Sequence, residues 1–154
     1  VPGQLLWDVG ADSGAIGIEW MRAHFTCRSI AVERAPARAA MIRANADALG
    51  VPKLELVAGV APDALAGLDP PDAIFVGGGL SQPEIFATCR NALSPGGRLV
   101  ANAVTVEGEQ ALFKCRERWG GSLTRIAVSR AEAIGRLTGW SALRTVTQFS
   151  VTKP

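Results

Sequence analysis

The chain of 154 residues has no tyrosine, one histidine, three cysteines and a net charge of only +2. Each shortage narrows what the protein can be. Cys27, Cys89 and Cys115 are odd in number and far apart, which argues against a disulfide framework or a zinc site and fits a reducing cytoplasm. No metal site is expected. The small net charge argues against nucleic acid as a partner. No apolar run reaches the roughly eighteen residues of a membrane helix, and no charged leader with an apolar segment and cleavage site opens the chain. The expectation is a cytoplasmic protein that does not engage a membrane. The single histidine, His24, falls near the end of a predicted helix. A surface imidazole stabilised by the helix dipole is commoner there than a catalyst.

What is present is an ordinary globular balance, 48% apolar and 19% charged, enough for one domain with a single core over residues 1–154. Strand and helix patterns alternate. "LLWDV" reads as a buried strand, and "GAIGIEWMRAH", residues 14–24, as a helix with Ile16, Trp20 and Met21 on one face. "SIAVE" ends a second strand at Glu33; an alanine-rich helix follows and stops at Gly50. "LELVAG" and "DAIFVGGG" are the third and fourth strands. "SQPEIFATCRNAL" is a helix with Ser81 as its expected cap. "RLVANAV" is the fifth strand, and "EGEQALFKCRERW" a further helix, in which Cys115, like Cys89 before it, reads as core. The last third changes character: "SLTRIAVSRAEAIG" and "LRTVTQFSVTK" read as two long strands with no helix between them. Strand–helix repeats imply a mostly parallel sheet with helices on both faces, closed here by an antiparallel edge strand. The chain starts directly on a core strand, so a preceding N-terminal segment is expected.

The glycine turn after the first strand lies at the C-terminal edge of such a sheet, where ligands bind. The dinucleotide pattern G-x-G-x-x-G is broken, because Asp12 stands between Gly10 and Gly14 where a glycine is usual. With Asp8 just upstream, the loop suits a cation better than a pyrophosphate. S-adenosyl-L-methionine carries an ammonium and a sulfonium and no phosphate. Glu33, nineteen residues after Gly14, ends the second strand, the place for a carboxylate that accepts from ribose hydroxyls.

The motifs "DVGADSG", "AVER", "GVAPDAL", "DAIFVGGG", "LSPGGRLVANAV" and "TGWSALRTVTQF" occur in the order found in the precorrin methyltransferases. By these motifs the chain resembles the decarboxylating, carbon-15-methylating members of that family over nearly its whole length. The resemblance implies a Rossmann-like α/β class I methyltransferase fold with a seven-stranded sheet. It implies S-adenosyl-L-methionine as cofactor and a precorrin tetrapyrrole of cobalamin biosynthesis as substrate. The reaction it implies is methylation at carbon 15 with loss of carbon dioxide from the acetate on carbon 12. Implied partners are a carbon-5 methyltransferase domain, fused in some species, and further copies of the chain in a homo-oligomer. It places Asp8, Gly10, Ala11 and Gly14 around the methionine end of the cofactor. Glu33 would hold the ribose, with Arg34 beside it. Gly59, Val60 and Ala61 would flank the adenine, and Gly77, Gly78 and Gly79 would form a floor under the sulfonium and the incoming ring. Val60 departs from the family, because many relatives carry an acid there for the adenine amino group.

Amine-methylating enzymes of this fold often show an Asn/Asp-Pro-Pro-Tyr/Phe box after the fourth strand; "VGGG" stands there instead. A floor without a general base suits a carbon nucleophile that is already electron-rich, and methyl transfer needs mainly proximity and orientation. Expected catalytic or carboxylate-gripping residues are Asn102, Arg136 and Arg144, with Arg130 and Thr105 near them, since arginine forks match carboxylates. Trp119 and Trp140 read as core or subunit-interface residues. Two other readings stay open at this stage: a class I methyltransferase of another substrate, and a subunit of the same fold without catalysis.

Overall fold

The computed structural model describes residues 2–80 and 82–154. In chain order the elements are β1 (Leu5–Val9), α1 (Ala15–Ala23), β2 (Arg28–Glu33), α2 (Pro36–Ala48), β3 (Glu55–Ala58), a 3-10 turn (Asp63–Leu65) and β4 (Ala73–Val76). Then come α3 (Pro83–Ala92), β5 (Arg98–Ala103), α4 (Val106–Trp119), β6 (Ser122–Ile126), β7 (Ser129–Ile134), β8 (Leu137–Ala142) and β9 (Val146–Thr152). Among the described residues, no helix is long and apolar enough to cross a membrane.

β1 to β5 run parallel, and β9 pairs antiparallel with both β5 and β6, giving the order β3-β2-β1-β4-β5-β9-β6. The fold is therefore a mostly parallel seven-stranded sheet of the class I methyltransferase type. The reversed strand sits one place in from the edge: the edge itself is β6, which runs with the parallel set. β1 is buried along its whole length, as a central parallel strand covered on both faces must be.

One face packs on α3 and α4 through Trp7, Ile74, Ile85, Phe86, Leu99, Leu112 and Phe149. The other packs on α1 and α2 through Ile18, Ala31, Ile42, Ala46 and Leu54. Each large apolar side chain buried this way contributes about 1.5–3 kcal/mol. Cys89 and Cys115 sit in the first cluster as free thiols, and burial pushes them up to about 12 and about 11. Pro36 opens α2, where its missing N–H costs nothing, and Gly50 follows its end with a positive φ of 79°. Thr105 caps α4, its Oγ1 accepting from the Gly108 N–H at 3.1 Å. The expected Ser81 cap of α3 lies outside the described residues.

Two readings are corrected here. The core side of α1 is Gly17 and Ile18, while Ile16 is exposed and Trp20 half-buried. Gly17 turns the helix because it lies flat on β1 and β2, where a Cβ would come 2.7 Å from the Ser29 hydroxyl. The stretch 122–135 is two strands rather than one long one, and residues 137–142 form a strand of their own. β7 and β8 leave the sheet as a hairpin that turns at Gly135 (φ 61°) and pairs only with itself. β6 ends and β9 begins at the C-terminal edge of the parallel strands, with Ile126 opposite Val146 and Thr147 opposite Ala103. The hairpin therefore springs from the same edge as the glycine loops.

Candidate ligand cavity at the glycine loops

Three backbone segments meet at that edge. The loop after β1 is fixed by Gly10 and Ala11, whose N–H groups both donate to the Val32 carbonyl, at 2.9 and 3.2 Å. The loop after β4 is tied to it by Gly77 N–H donating to the Val9 carbonyl at 2.9 Å. The loop after β3 is held by Gly59 N–H on the Glu33 carbonyl at 3.1 Å. Gly10 has φ 72°, and a Cβ on it would come 2.7 Å from the Gly78 nitrogen. The two glycine loops thus touch backbone to backbone, which only glycine permits. Between the three segments lies a cavity of about 310 Å³.

Gly10, Glu33 and Arg34 line this cavity, together with Gly59, Val60 and Ala61 from the β3 loop and Gly77, Gly78 and Gly79 from the β4 loop. These nine expected residues are thus gathered at one place. Glu33 is 4% exposed, and its carboxylate accepts from three donors of the chain. Its Oε1 accepts from the Ala35 N–H at 2.9 Å and from Arg38 Nε at 3.1 Å; its Oε2 accepts from the Asp12 N–H at 3.0 Å. Burial pushes its carboxyl up, but the two N–H donors and the Arg38 guanidinium outweigh that, and the carboxyl is held below its ordinary value. Asp12 adopts a φ of 53°, so the usual glycine's conformation is kept without the glycine. Its carboxylate does face a cation, the chain's own Arg38, at 3.6 Å.

Three expected cofactor residues stand off the cavity. Asp8 lies under α1, 1% exposed, its Oδ2 accepting from the Gly17 N–H at 3.0 Å. Burial raises its carboxyl to about 6, against the Gly17 hydrogen bond, and the nearby Glu33 charge adds to the rise. Alternation along β1 sends residue 8 to the face that α1 covers, not to the loop edge. Ala11 packs with Ile18 and Ile42 beneath the loop, and Gly14 serves α1 as a left-handed N-terminal residue. Both shape the loop without lining the cavity.

The expected catalytic residues are not brought to it either. Asn102 lines a separate groove on the open part of the α1 side of the sheet, with Phe75 and Val100, and its Oδ1 accepts from Gln148 Nε2 at 3.0 Å. It alternates away from the α3–α4 face, where Ala101 and Ala103 point. Arg136 sits at the hairpin turn, beyond the six-residue strands and so about 17 Å or more from the hairpin base. Arg130 and Arg144 flank that base, and Thr105 is used as the α4 cap. Trp140 is 79% exposed on the hairpin and so is not core, whereas Trp119 packs against the core.

Sequence reasoning missed Arg38, Gln82 and Ile85, which also line the cavity. Arg38 carried a signal: it lies in the first turn of α2, where the helix dipole disfavours a cation. A basic residue there needs a partner such as Glu33.

A family model described as a precorrin methyltransferase domain matches residues 1–153. A "Precorrin-6Y C(5,15)-methyltransferase [decarboxylating]" of a Sinorhizobium species is 54% identical over 151 residues, 98% of this chain and 37% of that protein. The chain thus spans little more than a third of such relatives. A "Probable cobalt-precorrin-6B C(15)-methyltransferase (decarboxylating)" of Pyrobaculum calidifontis is 33% identical over 94% of this chain and 76% of its own length. Among solved structures, the C-terminal domain of precorrin-6Y C5,15-methyltransferase from Rhodobacter capsulatus superposes with a TM-score of 0.91 at 42% identity, over 99% of this chain and 82% of that one.

Proposed function

Since the chain belongs to the family of precorrin methyltransferase domains, we propose that it is an S-adenosylmethionine-dependent enzyme of cobalamin biosynthesis that methylates carbon 15 of a precorrin and removes carbon dioxide from the acetate on carbon 12. The observation that carries this reading is the glycine-floored cavity beside the buried Glu33. Residues 1–154 act in it as a single domain.

The residues present fit the cofactor. Oε2 of Glu33 has one internal donor and keeps an acceptor position for a ribose hydroxyl. Gly59, the half-exposed Val60 and Ala61 offer backbone and apolar surface for the adenine. Gly10, Gly77 and Gly78 leave room for the methionine end and a flat ring. When bound, the cofactor supplies an electrophilic methyl group on its sulfonium. Among the described residues, the ionisable side chains on the cavity are Glu33, Arg34 and Arg38. None is a ready general base, since the three donors on Glu33 make its carboxylate a weaker base than usual and the other two are arginines. The chain therefore contributes position and orientation to an electron-rich carbon. Arg130 and Arg144, at the hairpin base on the same edge, are the residues we assign to grip ring carboxylates.

Exposed Ile134, Leu137 and Trp140 on the hairpin support a homo-oligomer built through it. The greater length of the Sinorhizobium relative supports a further domain, methylating carbon 5, as a fused or separate partner. Thiols at Cys89 and Cys115 that remain reduced fit a cytoplasmic location. Calorimetric titration with S-adenosylmethionine and with NAD tests the cofactor assignment. Binding of the first and not the second is expected; tight NAD binding without S-adenosylmethionine binding overturns it.

A further inference from the structure

The Glu33 carboxylate is not simply an acid waiting for a ligand. Each carboxylate oxygen has about two acceptor positions. The Ala35 N–H and Arg38 Nε fill those of Oε1, and the Asp12 N–H takes one of those on Oε2. One acceptor position is left, and its direction is set by the three donors. Two of the donors are backbone groups of short segments that the fold fixes. The third, Arg38, is a long side chain whose other end makes a solvent-exposed ion pair, Nη1 3.6 Å from Asp12 Oδ1. Asp12 sits at φ 53°, where glycine is the less strained choice. An aspartate there makes sense if its carboxylate is needed, and the group it reaches is Arg38.

We propose that Arg38 is a positioning residue for ligand binding: it locks the Glu33 carboxylate in the orientation that accepts one ribose hydroxyl on Oε2, and Asp12 anchors it to the glycine loop. This rests on the assignment of Glu33 to the ribose. The charged groups around Glu33 are Asp8 from β1, Asp12 from the loop, Arg34 beside it and Arg38 from α2; the β3 loop brings Gly59 and Val60, which do not titrate. Arg34 is exposed, and neither a hydrogen bond nor an ion pair joins it to Glu33, so the charge opposing the two aspartates at the carboxylate is that of Arg38.

The test is calorimetric titration with S-adenosylhomocysteine from pH 4 to 8 for the wild type, Arg38→Ala, Arg38→Lys, Glu33→Ala and the double variant. Arg38→Ala should bind about tenfold more weakly at neutral pH, the low end for a hydrogen bond to a charged group. The acid limb of its binding should also move to higher pH, because Glu33 loses its cationic partner. Arg38→Lys should restore the acid limb while recovering only part of the affinity, since an ammonium lacks the guanidinium Nε geometry. In the Glu33→Ala background the Arg38→Ala change should cost nothing further. Unchanged affinity and pH dependence in Arg38→Ala overturns the proposal. So does an equal loss in both backgrounds, because Arg38 would then touch the ligand itself. Wild-type affinity in Glu33→Ala instead overturns the ribose assignment, and the proposal with it.

Discussion

Gly10 and Gly78 face each other across the cavity floor, yet replacing them should have very unequal consequences. At Gly10 the backbone is left-handed (φ 72°), and an added Cβ would lie 2.7 Å from the Gly78 nitrogen and 2.9 Å from its Cα. The left-handed strain alone costs about 1–2 kcal/mol for an L-residue. The clash is with backbone on both sides, so it can be relieved only by spreading the two loops, which costs about 1–3 kcal/mol more, as overpacking does. At Gly78 the nearest atom to an added Cβ is Gly10 Cα at 3.6 Å, an ordinary contact, and φ is not left-handed. Gly10→Ala should therefore lose about 3 kcal/mol, or roughly 6–12 °C in Tm for a chain of this size. Gly78→Ala should stay within about 0.5 kcal/mol of the wild type. Urea unfolding followed by tryptophan fluorescence reads both. Wild-type stability in Gly10→Ala, or a Gly78→Ala loss as large as that of Gly10→Ala, would refute the backbone-to-backbone packing of the two loops.

Asp8 provides a pH test. Its folded carboxyl is raised from 3.8 to about 6, so the stability it adds is complete below about pH 4 and is lost as pH rises through 6. Relative to wild type, Asp8→Asn should become more stable by on the order of 3 kcal/mol between pH 4 and pH 8; a pH-independent difference in urea midpoint would contradict a raised carboxyl. Arg144→Ala, at the hairpin base, should raise the KM for the tetrapyrrole severalfold and leave cofactor affinity alone, while Arg136→Ala, at the hairpin turn, should change neither; steady-state kinetics with the reverse ranking would remove the base from the carboxylate site. Leu137→Lys, at a side chain 78% exposed, should lower the oligomeric state without lowering the Tm of the fold; sedimentation identical to wild type would exclude the hairpin as the interface.

Much of this architecture is readable from local pattern. Buried parallel strands show as short apolar runs, and the C-terminal ends of β1, β3 and β4 are marked by glycine and that of β2 by Glu33. A carboxylate closing the run "SIAV" has to be satisfied, and that requirement is what made it visible. Asp8 stands next to the glycine turn in sequence, but its side chain turns under α1, which nearness along the chain does not report. Asn102 lies near the end of β5, but its side chain lies on the α1 side of the sheet. Arg38 was hidden because its partner lies five residues earlier on another element and meets it only when α2 folds back over the end of β2. The β7–β8 hairpin was invisible as such: no glycine or proline interrupts residues 122–134, where β6 gives way to β7 at Ala127 and Val128, and a strand that pairs with its successor in solvent reads like one that stays in the sheet. The N–H groups that hold Glu33 belong to backbone, which residue identity does not report.

The reaction proposed for this cavity is the methylation and decarboxylation of a precorrin ring. Its most direct test is incubation of the chain with S-adenosylmethionine and a panel of precorrins, followed by mass spectrometry of the tetrapyrrole. We expect one ring species to gain a single methyl group and lose one carbon dioxide, with S-adenosylhomocysteine formed in equal amount and both changes strongly reduced in Glu33→Ala. Binding of S-adenosylmethionine with no precorrin methylated or decarboxylated, in an enzyme shown to be folded, would contradict it.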